Sequence, residues 1–381
     1  ADGSYLSANS EKIAVTGDKA LTIKGVADGT TAASNALAGA QITNGLTGGA
    51  ALTVELTGAL VAATGARADL SKIAATTIQI GKDATAAAAL FVEVANNASV
   101  DWAGTLGADV TIDGKTGTTN TLSLTASNET LVAADVLTLT DITTVNYTAA
   151  KDQTFTSASF GAGATVNVSG AKNLTLATAV TASDINATNL TGNLTTVLSA
   201  NSKKVTGGTG NDTVTLYTGD FTVVGGNGTD KLVVAADLDL KASSVSFTSF
   251  EAIDLNGNGA AALTLNNAQI TGKTLALAGS AADELIVTMN SLVGTTADLS
   301  SVTGASGVVV TITGTNAADA IKGSALADTI TAGQEADTVD LSAGGSDTVI
   351  FNAVATNGKD TITGFKGGAT ASGGDVLTVE A

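Results

Sequence analysis

Short segments in which apolar and polar residues alternate run through the whole chain, and this rhythm constrains the fold more than any other feature. Clear examples are residues 136–140, 165–168, 174–176, 263–265 and 308–312. Alternation with a period of two is typical of half-buried β-strands. Turns rich in Gly, Asn, Asp and Ser separate the segments regularly, which favours sandwiches, barrels or a stacked solenoid. The sequence therefore predicts an all-β fold, an elongated multi-domain assembly of β-solenoid or β-sandwich type.

Helix signals and longer repeats are weaker. Alanine-rich residues 83–94 predict at most one short helix. The strings at residues 67–73, 182–192 and 296–304 resemble one another, and an internal duplication explains them economically. We predict an N-terminal β region over residues 1–125, a β-solenoid segment over 126–240 and a second β-solenoid segment over 241–381.

Composition excludes much chemistry. The 381 residues include no Pro, Cys or His. Without His or Cys there is no Ser/His/Asp triad, thiol nucleophile, or zinc site of thiolate and imidazole type. The composition still allows sites for hard cations, which are made of carboxylate and backbone oxygens. We predict that the protein is not an enzyme, and keep a β-solenoid polysaccharide enzyme as an alternative.

The charge balance bears on partners. Seventeen basic residues against 35 acidic ones give a net charge of −18. Nucleic acid binding requires a basic patch, and we therefore predict no nucleic acid partner. The longest apolar stretch, residues 86–92, is far shorter than a membrane span of about 18 residues or more. We predict a soluble protein without membrane insertion, whose export signal was removed, is of another type, or lies outside this chain.

Two nonapeptides carry the most specific motif. Residues 207–215 read GGTGNDTVT and residues 225–233 read GGNGTDKLV, 18 residues later. Both match G-G-x-G-x-D-x-U-x, a calcium-binding β-roll pattern in which U is a large apolar residue. Six residues form a turn and three form a strand, so two nonapeptides make one coil. Calcium would be held by carboxylate and backbone oxygens from these residues: Gly207, Thr209, Asn211, Asp212, Gly225, Asn227, Thr229 and Asp230.

A second tract is longer and more degenerate. Asp319, Asp328 and Asp337 are nine residues apart, each followed two residues later by an apolar side chain. Asp347 and Asp360 continue the series at spacings of 10 and 13. We predict that these five aspartates also bind calcium. The alternative is a solenoid corner in which each carboxylate accepts hydrogen bonds from backbone N–H groups.

Together, the two GGxGxD units, the Asp-Thr-Val and Asp-Thr-Ile series, residues 190–194 and residues 250–255 resemble the RTX-type surface-layer (S-layer) proteins of Gram-negative bacteria. The resemblance implies β-roll coils, type I secretion, an extracellular location at the cell surface and assembly with copies of itself into a calcium-dependent lattice. It also implies a lipopolysaccharide anchor, which we expect to lie in a region that this chain lacks. The alternative is an RTX adhesin, or the calcium-loaded C-terminal module of a secreted toxin or enzyme.

Overall fold

The computed structural model is built almost entirely of short β-strands. It describes residues 12–27, 41–58, 68–82, 90–102, 110–115, 120–127, 136–161, 163–255, 261–290, 293–305, 307–352, 358–368 and 374–380. The chain divides into two compact units, the first comprising residues 1–212 and 226–228, and the second comprising residues 213–225 and 229–381. The predicted boundaries after residues 125 and 240 remain predictions.

Unit 1 contains strands β1 to β19. Their bounds are Lys12–Gly17, Leu21–Ala27, Gln41–Leu46, Leu52–Gly58, Ala68–Leu70, Thr77–Lys82, Leu90–Val94, Ala98–Trp102, Val110–Asp113, Thr121–Ala126, Val136–Thr140, Thr144–Ala149, Gln153–Phe155, Ser157–Ser159, Thr165–Gly170, Leu174–Ala179, Asp184–Leu190, Leu194–Val197 and Lys204–Thr206. The strands of its largest sheet are arranged in chain order: β2, β4, β6, β8, β10, β12, β15, β17 and β19.

Unit 2 contains strands β20 to β37 and one helical turn, α1. The strand bounds are Thr213–Thr215, Phe221–Val224, Lys231–Val233, Leu238–Asp239, Val245–Thr248, Ala252–Asp254, Ala262–Asn266, Leu275–Ala278, Glu284–Thr288, Thr296–Asp298, Val302–Gly304, Val309–Thr315, Ala320–Lys322, Ala327–Gly333, Thr338–Asp340, Thr348–Asn352, Thr361–Thr363 and Val376–Glu380, and α1 is Asn267–Ile270. The largest sheet here has the order β23, β26, β28, β31, β33, β35, β37.

Within each unit, every strand pair among the described residues is parallel. A strand therefore pairs with the equivalent strand of the next coil, as in a stacked solenoid. The prediction of an all-β fold made of β-solenoid coils is confirmed.

The core of unit 1 shows how register produces the fold. In the largest sheet, inward residues stack in rows, and one row is Val54, Ile78, Val100, Leu124, Tyr147 and Val168. All six are buried. Burial raises the pKa of the Tyr147 hydroxyl. The neighbouring outward row carries Thr, Ser or Asn, which explains why the sequence alternates with a period of two. Trp102 is also buried and packs within the core of unit 1.

The helix prediction for residues 83–94 is wrong over its described part, because Leu90–Val94 forms β7. Residues 83–89 lie outside the described residues. Val92 and Val94 are fully buried, and β7 pairs with β5 and β9. This pairing overrides the helix propensity of the preceding alanines. The one helix in the described residues is instead α1, whose N-terminus is closed by a reciprocal capping box between Asn266 and Gln269.

Candidate metal centre

The first GGxGxD turn follows β19 and places its aspartate inside the fold. Asp212 is only 1% exposed. Its Oδ2 accepts the N–H of Gly208 at 2.7 Å, and its Oδ1 accepts the N–H of Leu194, from the preceding coil, at 2.6 Å. Burial raises the pKa of Asp212, against the lowering effect of these two hydrogen bonds. The carboxylate therefore closes its own turn and joins it to the coil before it.

Glycines allow the turns of unit 1 to stack directly on one another. The N–H of Thr209 donates to the carbonyl of Leu190, and the N–H of Asn227 donates to the carbonyl of Gly208, both at 3.0 Å. A Cβ on Gly226, where φ is +114°, would collide with the Gly208 carbonyl oxygen. Close stacking at an 18-residue interval therefore requires glycine at this position.

Side chains of the other residues predicted in these turns point outward. The exposed residues are Thr209, Asn211, Asn227 and Thr229, whereas Gly207 and Gly225 are buried. The N–H of Asn211 donates to Asn193 Oδ1 at 2.8 Å. Of the eight predicted ligands in this tract, only the two aspartates place a carboxylate in a buried position.

Residues 225, 229 and 230 of the second GGxGxD turn belong to unit 2, where the backbone N–H of Asp230 has its acceptor in the following coil. Asp230 is buried, and its N–H donates to Glu251 Oε2 at 2.6 Å. A Cβ on Gly225 would collide with the Asp230 carboxylate. The first glycine of the motif thus leaves the space that the carboxylate occupies.

The aspartates of the second tract form two columns. In column A, the N–H of Asp319 donates to Asp337 Oδ1 at 2.7 Å, and the N–H of Asp337 donates to Asp360 Oδ1 at 3.0 Å. Aspartates nine residues apart therefore alternate between columns, because two nine-residue units make one coil here. Parallel strands lie about 4.8 Å apart, which sets the approximate step between successive members of a column.

Column B has the same construction. The N–H of Asp328 donates to Asp347 Oδ1 at 3.0 Å, and the N–H of Asp347 donates to Asp375 Oδ1 at 3.1 Å. The structure therefore brings together Asp319, Asp337 and Asp360 on one side, and Asp328 and Asp347 on the other. Asp375 completes column B and was not predicted.

Most carboxylate oxygens in the columns accept hydrogen bonds, as the corner alternative predicts. Asp319 Oδ2 accepts the N–H of Thr315 at 2.7 Å. Asp328 Oδ2 accepts the N–H of Ser324, also at 2.7 Å. Asp337 differs, because its Oδ2 is buried and has no hydrogen-bond partner among the described residues. A buried carboxylate oxygen without a partner is costly and is a position where a cation would be stabilising.

Electrostatics in the columns oppose ionisation. Burial, followed by the charge of Asp347, raises the pKa of Asp328 to about 7. Burial, followed by the charges of Asp360, Asp319 and Glu335, raises the pKa of Asp337 to about 6. Burial, followed by the charge of Asp375, raises the pKa of Asp347 to about 6. At neutral pH the columns therefore concentrate negative charge that the fold compensates only in part.

The donor set suits a hard cation, since it consists of carboxylate and backbone oxygens. Across the described ranges, no three Asp or Glu side chains converge closely enough to hold a metal ion by themselves. Calcium in these turns would therefore draw on backbone carbonyls as well as carboxylates. Asp337 Oδ2, which is buried and has no hydrogen-bond partner among the described residues, is the acceptor best suited to it in the second tract.

Sequence reasoning missed three acidic residues that close turns in the same way. Asp283 is buried and accepts the N–H of Ala261 at 2.9 Å, and its hydrogen bonds with Ala261 and Ser280 lower its pKa. Its signal is a Gly279-Ser280 pair shortly before it. Asp375 is followed two residues later by Leu377, which repeats the Asp-x-apolar pattern. For Glu251, no pattern in the sequence identifies the acceptor.

No protein-family model, curated protein or solved structure matches the chain. In the described part of the chain, no helix reaches the length and hydrophobicity needed to cross a membrane.

The stacked glycines give a direct test of the turn geometry. Gly226→Ala is expected to lower the free energy of unfolding by about 1 to 3 kcal/mol more than Gly219→Ala, because only the first introduces a backbone collision. Gly219 is a matched control, since its φ is +133° and nothing lies within 4 Å of an added Cβ. Urea denaturation of both variants measures the difference. Equal losses would show that the turns do not stack this closely.

Proposed function

We propose that this protein is a structural subunit of a calcium-dependent S-layer lattice on the surface of a bacterium, to which it is exported. The observation that carries the proposal is the stacked aspartate columns, in which the buried Asp337 Oδ2 has no hydrogen-bond partner among the described residues. The two GGxGxD turns and the parallel solenoid coils support the same proposal. In this proposal the buried carboxylates bind calcium and close turns, so the role of the protein is architectural.

Charge explains why calcium would matter. The chain has a net charge of −18, so identical subunits repel one another at close range, where a Debye length of about 8 Å gives little screening. Each bound divalent ion removes two units of negative charge. Calcium that binds only the folded chain also stabilises it. An exported chain of this kind would stay loosely folded where calcium is scarce and become rigid outside the cell.

Self-assembly is the test of this function. Purified protein in millimolar calcium is expected to form ordered two-dimensional sheets, visible by negative-stain electron microscopy. Excess EGTA should disperse the sheets into monomers, and returned calcium should restore them, whereas magnesium at the same concentration should not, because it prefers rigid octahedral sites with bound water.

Two outcomes would overturn the proposal. Ordered sheets that persist after calcium is verified to be gone would show that assembly does not depend on the ion. A protein that binds calcium but stays monomeric at all concentrations would instead favour the adhesin or the toxin or enzyme module.

A further inference from the structure

Two strands in the described residues lie at the outer edge of a sheet and expose apolar side chains. Strand β2 is the outermost member of the largest sheet of unit 1, and β37 is the outermost member of the largest sheet of unit 2. Leu21 on β2 is 40% exposed, and Leu377 and Val379 on β37 are 49% and 73% exposed. Solenoids normally cover such terminal coils with a polar cap, and uncovered edge strands pair with other chains.

The backbone groups at both edges are oriented for pairing. The N–H of Leu21 donates to the carbonyl of Ala51, the residue before β4, so the groups of Thr22 and Lys24 point away from β4. The N–H of Val376 donates to Asp347, before β35, so the groups of Leu377 and Val379 point away from β35. Each edge therefore offers alternating donors and acceptors that no described strand uses.

The two edges are also matched in sequence. Residues 52–55 of β4 and residues 377–380 of β37 both read Leu-Thr-Val-Glu. The first of these segments already pairs with β2, with Leu21 opposite Leu52 and Ile23 opposite Val54. Lys24 Nζ lies 3.0 Å from Glu55 Oε2 in this pair. In that pair β4 uses the edge that corresponds to the edge of β37 already facing β35, so the precedent concerns only which side chains lie opposite each other: a Leu opposite Leu21 and a Val opposite Ile23.

We propose that β37 of one copy pairs in parallel with β2 of a second copy of this chain. The register sets Leu377 opposite Leu21 and Val379 opposite Ile23, which extends the inward apolar rows from one copy into the next. The same register lets the N–H of Val379 reach the carbonyl of Thr22, since both groups point to the open edges. A contact between two different edges leaves each added copy with one unused edge, so further copies can join in a row. The inference rests on the proposed function, because it names a contact within the calcium-dependent assembly.

Variants that block either edge test the contact. Val379→Glu places a charge in the apolar row, and Thr22→Pro removes a donor that faces the open edge and has no acceptor among the described residues. Each variant alone is expected to lose the rows that the wild type forms, as measured by sedimentation velocity and electron microscopy in calcium. The matched control is Val293→Glu, since Val293 is 74% exposed and lies in the turn before β29. If Thr22→Pro does not fold, Leu21→Glu replaces it.

An equimolar mixture of the two edge variants gives the sharpest result. One variant keeps its β2 edge and the other keeps its β37 edge, so the mixture is expected to form dimers and nothing longer. A mixture that stays monomeric, or a single variant that forms rows as the wild type does, would overturn the contact. A Val379→Glu chain that loses stability but associates as the wild type does would also overturn the contact. That result would mean that β37 is covered by another coil of the same chain and not by a second copy. Sheets that form normally in calcium from Val379→Glu would overturn this contact while leaving the proposed function intact.

Discussion

Calcium-free protein is expected to be more stable at pH 5 than at pH 8. Burial raises the pKa of Asp328 to about 7 and the pKa of Asp337 and Asp347 to about 6, from an ordinary value of 3.8. A carboxyl group whose folded pKa is raised contributes stability that is present below its unfolded pKa and is lost as the pH rises through its folded pKa. For Asp328 alone, the loss between pH 5 and pH 8 is about 2 to 3 kcal/mol. Urea denaturation of dialysed, calcium-free protein at the two pH values measures it.

Neutral variants assign this pH dependence to the columns. Asp328→Asn removes the ionising group at nearly constant shape and is expected to flatten the dependence by raising stability at pH 8. Asp298→Asn is the matched control, because a hydrogen bond from Lys322 lowers the pKa of Asp298, and it should leave the dependence between pH 5 and pH 8 unchanged. Equal stability of the wild type at the two pH values would contradict the column electrostatics.

Calcium is expected to reverse this pH dependence. At pH 8, a hundredfold excess over the dissociation constant raises the free energy of unfolding by about 2.7 kcal/mol for each site. At pH 5 the gain is smaller, because the column carboxylates must lose protons before they bind the ion.

The double variant with Asp212→Ala and Asp230→Ala should bind fewer calcium ions than the wild type, as counted by equilibrium dialysis.

Separate variants distinguish the two tracts. Asp337→Asn keeps the size of the side chain and is expected to lose only the ions of the second tract. Asp212→Ala also leaves the N–H groups of Gly208 and Leu194 without their acceptor, which costs about 1 to 3 kcal/mol for each buried group. Ion counts are therefore compared at pH 8 on variants shown to be folded by circular dichroism. Unchanged ion counts in both variants would remove the assignment of calcium to these aspartates.

Much of the fold was predictable, because a buried strand face imposes its period on the sequence. Residues 137–140 alternate between Leu and Thr, and they fall within β11. Residues 263–265 fall within β26 in the same way. The nine-residue spacing of Asp319, Asp328 and Asp337 also predicted that two nonapeptides make one coil. This holds because the coils in that region are 18 residues long, which is twice the spacing of the aspartates.

What was not predictable depends on contacts between coils. Paired residues are 18 apart for Thr213 and Lys231 (231 − 213) but 31 apart for Leu21 and Leu52 (52 − 21). Variable coil length hides the partners of Asp347, whose acceptor is Asp375 across 28 residues. Local composition likewise misled the prediction at Leu90–Val94, where pairing with neighbouring coils decides the conformation. The residues that form each turn are close in sequence, so the turns could be predicted. Which turns stack on one another could not.

The parallel pairing has a consequence for how the chain acquires its structure. Every strand in each unit finds its described partners within 18 to 31 residues along the chain. A strand that emerges from a ribosome or a narrow pore can therefore pair with a strand of the preceding coil, without a distant part of the sequence being present. Each new coil uses the previous one as a template, so ordering can advance at the speed of emergence and in one direction. Loop-closure entropy, which slows most β-proteins, stays small and nearly constant at every step of this growth.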